Sequence, residues 1–307
     1  MSERVLTVGG SKASKPITDF LMSNEYFGPK GGVYYVDGNV AATGGGSPDH
    51  PYATLAEAIT ASNAAIALSA NRWWARRNRI YACGDTLAES LVAYPTKCDV
   101  IGCGSDDGFP MAGILGNHIP VNSAMGTRFF NFRFIPVSAT PIISLGATAG
   151  NSEYYDCLFD SSGTLTATIG ILLTAASWVK IVRNKFVPSG GAGFSTAAID
   201  IATGASHGTL IEGNRIYSAA KGIRVNSGFT GVDSWILDNK IKSTLACIDD
   251  QAGSFHVVGN RGITLAAAGT AGAGAVVCNQ FLSSDNEFTA SNLCFTYPLL
   301  HDADGTP

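Results

Sequence analysis

The chain has 307 residues, of which 46% are hydrophobic and only 14% are charged, and it contains 36 glycines. This composition favours a mostly β protein with many tight turns, because glycine tolerates the left-handed backbone that such turns need. The net charge of −4 argues against general nucleic-acid binding, which needs a strongly basic surface. The sequence predicts neither a secretory signal nor a membrane span, since no basic start precedes an apolar run and no long apolar stretch occurs.

The cysteines are odd in number and none has CxxC spacing, so the sequence predicts neither a complete disulfide framework nor a zinc site. Most of them lie in apolar runs, which predicts buried, free thiols and fits assembly in a reducing cytoplasm. We expect no bound metal and no cofactor. The seven residues are Cys83, Cys98, Cys103, Cys157, Cys247, Cys278 and Cys294.

Residues 1–32 differ in composition from the rest of the chain and include the stretch SKASKPITDFLMSNEYF. This difference predicts an N-terminal arm that attaches to another protein instead of folding onto the main body. At the other end, residues 296–307 are expected to form a short C-terminal tail.

Residues 33–78 are predicted to form a strand, a glycine-rich loop and then a helix. Thr54 and Glu57 have the T-x-x-E spacing of a capping box, which marks the start of a helix. The helix is expected to run to about Asn71 and to cover the open apolar end of the next segment, as repeat folds require. The apolar side chains expected on its buried face are Leu55, Ile59 and Ile66.

From residue 79 to residue 295 the chain contains a repeated phrase, a strand-like run that ends in asparagine and continues with a basic and an apolar residue. The separations between these asparagines are 30, 25, 21 and 19 residues, close to one turn of a β-solenoid. Phe132 and Cys157 occupy the asparagine position in two earlier runs. The repeated residues are Asn184, Asn214, Asn239, Asn260 and Asn279.

Asparagine at a repeated turn position has two physical reasons. It tolerates the left-handed conformation, and its amide can hydrogen-bond the equivalent groups in the turns above and below. Turns stack at the strand spacing of about 4.8 Å, so the asparagines should form a ladder. A second strand follows each phrase, and its isoleucines at positions 169, 199, 223 and 248 should align in the core. The sequence predicts an all-β fold, a single-stranded right-handed parallel β-helix with an N-terminal capping helix and a short arm.

These features resemble the pectate-lyase-like right-handed parallel β-helix superfamily, and most closely its tailed-bacteriophage virion members. The resemblance spans residues 33–295 and is carried by Tyr34–Asp37, Pro51–Leu55 with Ala58 and Ile59, Ile80–Asp85, and Ile101 with Gly102. The superfamily contains lyases, hydrolases, epimerases and inert virion spikes, so it implies the fold more strongly than the function. It also implies a homotrimer, because spikes of this kind are commonly trimeric.

One candidate site is acidic. The aligned second strands place Asp200, Arg224 and Asp249 one above another, with Asp250 beside them. The two outer aspartates would be about 9.6 Å apart, near the carboxylate separation of inverting glycosidases. The alternative is a structural Asp–Arg–Asp ladder, which we favour because the arginine would lower the pKa of both carboxyls and make them poor general acids.

Two further candidates are basic. Lys185, Arg215, Lys240 and Arg261 each follow a ladder asparagine and should form a column that contacts an anionic surface or glycan, or that is only a solvated turn face. The other candidate is an aromatic and basic cluster that could form an interface or seal the core. Its residues are Trp73, Trp74, Arg76 and Arg77.

Two functions of different classes follow. The first is a non-enzymatic virion structural protein, such as a capsid decoration protein, vertex spike or tail spike, assembled in the host cytoplasm and exposed on the virion. Its partners would be itself, other virion proteins through the arm, and a host-surface glycan. The second is a tail spike that degrades polysaccharide as a glycosidase or lyase. We favour the first, because outward positions are dominated by alanine, glycine, serine and threonine.

Overall fold

The structure is a computed structural model that describes residues 6–8, 11–13, 31–68, 76–103, 113–161, 167–188, 193–264, 276–277 and 280–283. Within these residues the chain forms a parallel β-solenoid with a single α-helix. Several predicted features lie outside the described residues, and these are Trp73, Trp74, Cys278, Asn279, Cys294, most of the arm and the tail 296–307.

The described residues of the N-terminal half form one α-helix, α1 (Leu55–Ala67), one short 3-10 helix (Ala147–Ala149) and twelve strands. The strands are β1 (Leu6–Val8), β2 (Ser11–Ala13), β3 (Val33–Asp37), β4 (Asn78–Cys83), β5 (Leu87–Ala88), β6 (Cys98–Gly102), β7 (Gly113–Leu115), β8 (Thr127–Phe130), β9 (Arg133–Ile135), β10 (Ile143–Leu145), β11 (Ser152–Tyr155) and β12 (Leu158–Ser161).

The C-terminal half contributes strands alone among its described residues. They are β13 (Ile169–Leu173), β14 (Lys180–Val182), β15 (Lys185–Pro188), β16 (Ala197–Ile201), β17 (Leu210–Glu212), β18 (Arg215–Val225), β19 (Ser234–Leu237), β20 (Lys240–Asp250), β21 (Phe255–Val258), β22 (Arg261–Thr264), β23 (Val276–Val277) and β24 (Gln280–Ser283).

Two long parallel sheets form the walls of the solenoid. One has ten strands in the order β3, β4, β6, β8, β11, β14, β17, β19, β21 and β23. The other sheet has twelve strands, and each central turn contributes its two remaining strands to it. In two of the turns these two strands run together as one long strand, β18 or β20. The short strands β1 and β2 pair with each other in an antiparallel sheet of their own.

The interior is filled by side chains stacked in register from one turn to the next. Phe134, Phe159 and Phe186 stack with ring centroids 5.1 and 4.6 Å apart, and Ile216 and Ile241 continue the same column. Stacked rings of this kind bury large apolar areas and favour offset contacts at this distance. Parallel pairing in register therefore aligns the apolar side chains of successive turns, and the stacking of these side chains stabilises that register.

The predicted isoleucine column exists with one correction. Ile199, Ile223 and Ile248 align as expected, but their partner in the preceding turn is Ile171. Ile169, which the sequence alignment placed there, pairs with Ala197. The strand IGILL has apolar residues at every second position, so a shift of two residues keeps the same face inward and the pattern alone cannot determine the register.

Helix α1 begins at the predicted capping box. The Thr54 side chain accepts a hydrogen bond from the Glu57 N–H at 3.2 Å, and the Glu57 carboxylate accepts one from the Thr54 N–H at 3.1 Å. Glu89 accepts bonds from the N–H groups of Leu55 and Ala56, which ties the helix start to the solenoid. The helix ends at Ala67, before the predicted Asn71, and its buried face is Leu55, Ala58, Ile59, Ser62 and Ile66.

Candidate functional site

The repeated asparagines form a continuous buried ladder. The side-chain oxygen of Asn214, Oδ1, accepts hydrogen bonds from the backbone N–H and the side-chain amide of Asn184, at 2.9 and 3.1 Å. Asn239 receives the same two bonds from Asn214, both at 2.9 Å, and Asn260 receives them from Asn239 at 2.9 and 2.8 Å. All four side chains are completely buried. The geometry inferred from the repeat is therefore present, and every member supplies both a donor and an acceptor.

Each ladder amide also bonds to a strand of the ten-stranded sheet that lies one turn earlier in the chain. The side-chain N–H groups of the four asparagines donate to the carbonyls of Tyr154, Ile181, Ile211 and Ile236, at 2.8 to 3.0 Å. At the N-terminal end of the ladder, the side-chain oxygen of Asn184 accepts a hydrogen bond from the backbone N–H of Cys157 at 2.9 Å. The ladder ends there, because a cysteine side chain has no amide to extend it. Burial raises the pKa of the Cys157 thiol to about 12.

The left-handed conformation belongs to a different residue from the one predicted. The residues with positive φ are those immediately before the asparagines, namely Arg183 (54°), Gly213 (64°), Asp238 (50°) and Gly259 (69°). The ladder asparagines are not among the positive-φ residues of the described chain. Asparagine is therefore needed at this position for its hydrogen bonds and not for its backbone tolerance.

The predicted acidic column is present in register, with Asp200 opposite Arg224 and Arg224 opposite Asp249. Asp200 is only 2% exposed and accepts bonds from Arg224 at 2.8 and 2.5 Å and from Asn226 at 2.9 Å. Both of its oxygens are therefore occupied by donors. The hydrogen bond to Asp200 raises the pKa of the Arg224 guanidinium, which keeps that charge fixed.

The shared Asp–Arg–Asp ladder expected from the sequence is wrong in one respect. Asp249 pairs with Lys221 at 2.5 Å and accepts a bond from Gln251 at 3.0 Å, while Arg224 bonds only to Asp200 among the described residues. Lys221 is the strand partner of Ala246, three positions before Asp249, so this contact runs diagonally between the strands and a residue-for-residue alignment does not predict it. The result is two separate ion pairs.

Asp250 has a structural role within its own turn. Its carboxylate accepts bonds from the backbone N–H groups of Gly253, at 2.8 Å, and Phe255, at 3.4 Å. Burial raises the pKa of this carboxyl, and the hydrogen bonds from the turn oppose that rise. The residue thus holds the loop after β20 and presents no open acid to solvent.

The basic column lies one residue beyond the ladder. Lys185, Arg215, Lys240 and Arg261 are consecutive partners across β15, β18, β20 and β22. Within the described residues the last three form no ion pair, and all three are exposed. Tyr217 and Lys242, two positions further along their strands, extend this exposed surface.

On the ten-stranded sheet the charged residues are arranged differently. Asp99, Arg128, Glu153 and Lys180 are consecutive partners across β6, β8, β11 and β14, and their signs alternate. Arg128 bonds to Asp99 at 2.7 and 2.8 Å, and Lys180 lies 3.1 Å from Glu153. Alternating charges attract at the strand spacing, whereas a row of like charges repels.

The two arginines of the predicted aromatic and basic cluster are used within the chain. Arg76 donates to the carbonyl of Ala65 near the end of α1, at 3.1 Å. Arg77 pairs with Asp99 at 2.7 Å and donates to the carbonyl of Gly126 at 3.0 Å. The Arg76 contact joins the segment before β4 to the helix, and the Arg77 contacts join it to the next two turns.

Sequence reasoning missed a pair of exposed tryptophans. Trp178 is 54% exposed with φ of 60°, and Trp235 is 41% exposed with its ring 4.3 Å from that of His256. A Cβ on Gly208 would lie 2.2 Å from the Trp178 ring, so this ring lies against a position that only glycine fits. Strand alternation around the buried Ile236 could have placed Trp235 on the outer face.

The described residues contain no group of three or more His, Cys, Asp or Glu side chains that could hold a metal ion. Among the same residues, no helix has the length and apolar character needed to cross a lipid bilayer. A scan against protein-family models finds no match for this chain. A search of curated proteins finds no matching sequence either.

Proposed function

We propose that this chain is a non-enzymatic structural protein of a bacteriophage particle, a decoration protein, vertex spike or tail spike. In this proposal the solenoid is right-handed, α1 caps its N-terminal end, and the protein assembles in the host cytoplasm and is displayed on the virion surface. The parallel solenoid and the residues that resemble the pectate-lyase-like superfamily support this assignment. A rigid rod with aligned columns suits a role in which a surface is presented to partners.

The observation that carries the non-enzymatic assignment is the state of the candidate acids. Glycoside hydrolysis needs one carboxyl that can donate a proton and a second carboxylate that acts as base or nucleophile. Asp200 accepts bonds at both oxygens from Arg224 and Asn226, and Asp249 is held by Lys221 and Gln251. Asp250 is bonded to its own turn. None of the three presents an uncommitted carboxyl.

The basic column differs from these acids, because Arg215, Lys240 and Arg261 are exposed and form no ion pair within the described residues. Arg215, Lys240 and Arg261 are strand partners on successive turns, and two unit charges held at the strand spacing of about 4.8 Å in water would repel by at most about 0.9 kcal/mol, less where the long side chains spread apart. No ion pair within the described residues offsets that repulsion, whereas an anionic partner would. We therefore assign attachment to this column, toward a host-surface glycan or an acidic face of another virion protein.

Assembly is the second part of the proposal. We propose a homotrimer in which the arm, residues 1–32, contacts other virion proteins. The separate composition of the arm and the resemblance to trimeric spikes support this arrangement. Light scattering of the purified protein should give three times the mass of one chain. A protein that stays monomeric both in solution and on the particle would contradict the proposed trimer.

The experiment that tests the function combines location and chemistry. Imaging of a purified particle should place this polypeptide on the outer surface at a fixed copy number. Wild type and an Asp200→Asn/Asp249→Asn double variant are then incubated with host glycans and with uronic-acid polymers plus calcium. We expect no oligosaccharide release from either protein. Release by the wild type that is lost in the double variant would replace this proposal with a lyase or glycosidase function.

A further inference from the structure

Two cysteines of neighbouring turns occupy the same register position. Strands β4 and β6 pair in parallel from Asn78 opposite Cys98 to Ala82 opposite Gly102. One residue further along, Cys83 is opposite Cys103, and the Cys103 N–H donates to the carbonyl of Ala82 at 2.8 Å, which continues the ladder. The two residues are therefore direct neighbours across the first turns of the solenoid.

Both side chains lie on the outer face. Side chains alternate along a strand, and Ala82 and Gly102 are the buried pair before the two cysteines. Cys83 is half-buried and Cys103 is exposed, and both are free thiols. Paired strands are about 4.8 Å apart, inside the range of about 4.4 to 6.8 Å between Cα atoms that a disulfide needs.

The other described cysteines lack this arrangement. Cys98, Cys157 and Cys247 are buried in the core. The strand partners of Cys98 are Asn78 and Thr127, so no thiol lies opposite it. The pairing at positions 83 and 103 is thus distinct from the buried thiols that the composition predicts.

We propose that Cys83 and Cys103 are an oxidation site, at which an intramolecular disulfide joins the first turns of the solenoid. The oxidant is a small-molecule disulfide such as oxidised glutathione. The two thiols lose two protons and two electrons and form one S–S bond, and the oxidant takes up both and becomes two thiols. This inference does not depend on the proposed virion role.

The surroundings make the reaction slow at neutral pH. Burial raises the pKa of the Cys83 thiol, and the nearby Asp37 raises it further. Burial also raises the pKa of the Cys103 thiol. Since the thiolate is the attacking species, the bond should form faster as the pH rises. The site therefore remains reduced in a reducing compartment and closes after transfer to an oxidising one.

The test uses the full chain and oxidised glutathione at pH 8.5. Peptide mapping by mass spectrometry should find the peptides of Cys83 and Cys103 joined, with two fewer reactive thiols per chain. The closed bond constrains residues 84–102 in the unfolded chain, so the unfolding midpoint should rise by about 5 °C and should return on reduction with dithiothreitol.

The variants Cys83→Ser and Cys103→Ser should each abolish the joined peptide and the rise in unfolding midpoint. Cys247→Ala serves as the matched control, and it should retain the oxidant-dependent rise even if its starting midpoint is lower. Two results would overturn the inference. One is a glutathione adduct on Cys103 with no joined peptide, and the other is a bond that forms only between different chains.

Discussion

Two columns that are one residue apart along the chain behave in opposite ways. In the asparagine ladder, stacking identical residues is favourable, because each amide carries a donor and an acceptor that match those of its neighbours. In the basic column, the same stacking places like charges next to one another without a described counter-ion. The repeat therefore stabilises the fold at one position and costs stability at the next.

The wall formed by the ten-stranded sheet shows that this cost is not inherent to the fold. There, Asp99, Arg128 and Glu153 alternate in sign and pair with their neighbours. The chain thus pairs opposite charges on the ten-stranded sheet but stacks like charges in the basic column, so the basic column requires something that the ten-stranded sheet does not. We infer that this requirement is contact with an anionic partner.

The largest effect should come from breaking the ladder. Asn214→Ala removes the acceptor of two Asn184 donors and the donor to the Ile181 carbonyl, all of them buried. We expect the free energy of unfolding to fall by about 3 kcal/mol, measured by denaturant titration. The exposed Asn39→Ala serves as the control and should change it by less than about 0.5 kcal/mol. Equal losses in the two variants would contradict the ladder as the main polar stabiliser.

The repeat made this ladder predictable, since the asparagines recur at turn spacing with strand-like residues before them. The position of the left-handed residue was not predictable, because Arg183, Gly213, Asp238 and Gly259 share no chemistry. The partner of Asp249 also escaped sequence reasoning. Lys221 reaches it diagonally from a position three residues before Arg224, and an alignment of directly opposite residues carries no signal for such a contact.

A second effect concerns His118, a buried polar side chain that, unlike the ladder asparagines, does not have all of its hydrogen bonds formed. His118 accepts a bond from the Leu91 N–H at 3.0 Å, but its Nε2 has no partner among the described residues. Burial lowers the pKa of His118 from 6.5 to about 3. Because the folded pKa is the lower one, the unfolded state binds more protons between these values. The contribution of His118 to stability is therefore complete above pH 6.5 and is lost progressively as the pH falls toward 3.

Denaturant titrations of His118→Leu at several pH values check this sign. The variant should be less stable than wild type at pH 7, because the Leu91 N–H loses its acceptor. Its stability should nevertheless change less between pH 6 and pH 4. His207→Gln, at an exposed position, should keep the wild-type profile. An unchanged profile in His118→Leu would rule out this histidine as the source of acid sensitivity.

A smaller effect should come from reversing one charge in the basic column. Lys240→Glu places a carboxylate between Arg215 and Arg261, its partners in the neighbouring turns. We expect unfolding at low salt to require about 1 kcal/mol more than in wild type. The control is Lys242→Glu, whose strand partners are Tyr217 and Ile263, and it should gain less. A loss of stability in Lys240→Glu would mean that the column is already neutralised.

The smallest expected effect is that of salt on the wild type. Added salt screens like charges at exposed positions, so 0.5 M sodium chloride should stabilise the column by up to about 0.5 kcal/mol. The measurement is the change in the free energy of unfolding when salt is added, compared between wild type and Lys240→Glu. Salt should stabilise the column in wild type, and it should weaken the attractive pairs in the variant and so destabilise it at this site.

The most direct test of the account is retention of the protein on immobilised dextran sulfate, a linear polyanion, during a salt gradient. Wild type should be retained and should elute as salt rises, because binding of its lysine and arginine side chains releases counter-ions from the polyanion and added salt opposes that release. The Arg215→Gln/Lys240→Gln/Arg261→Gln variant should elute at a clearly lower salt concentration, and Asp200→Asn/Asp249→Asn should elute no earlier than wild type. If the triple variant is retained as strongly as wild type, the basic column is not the surface that contacts an anionic partner.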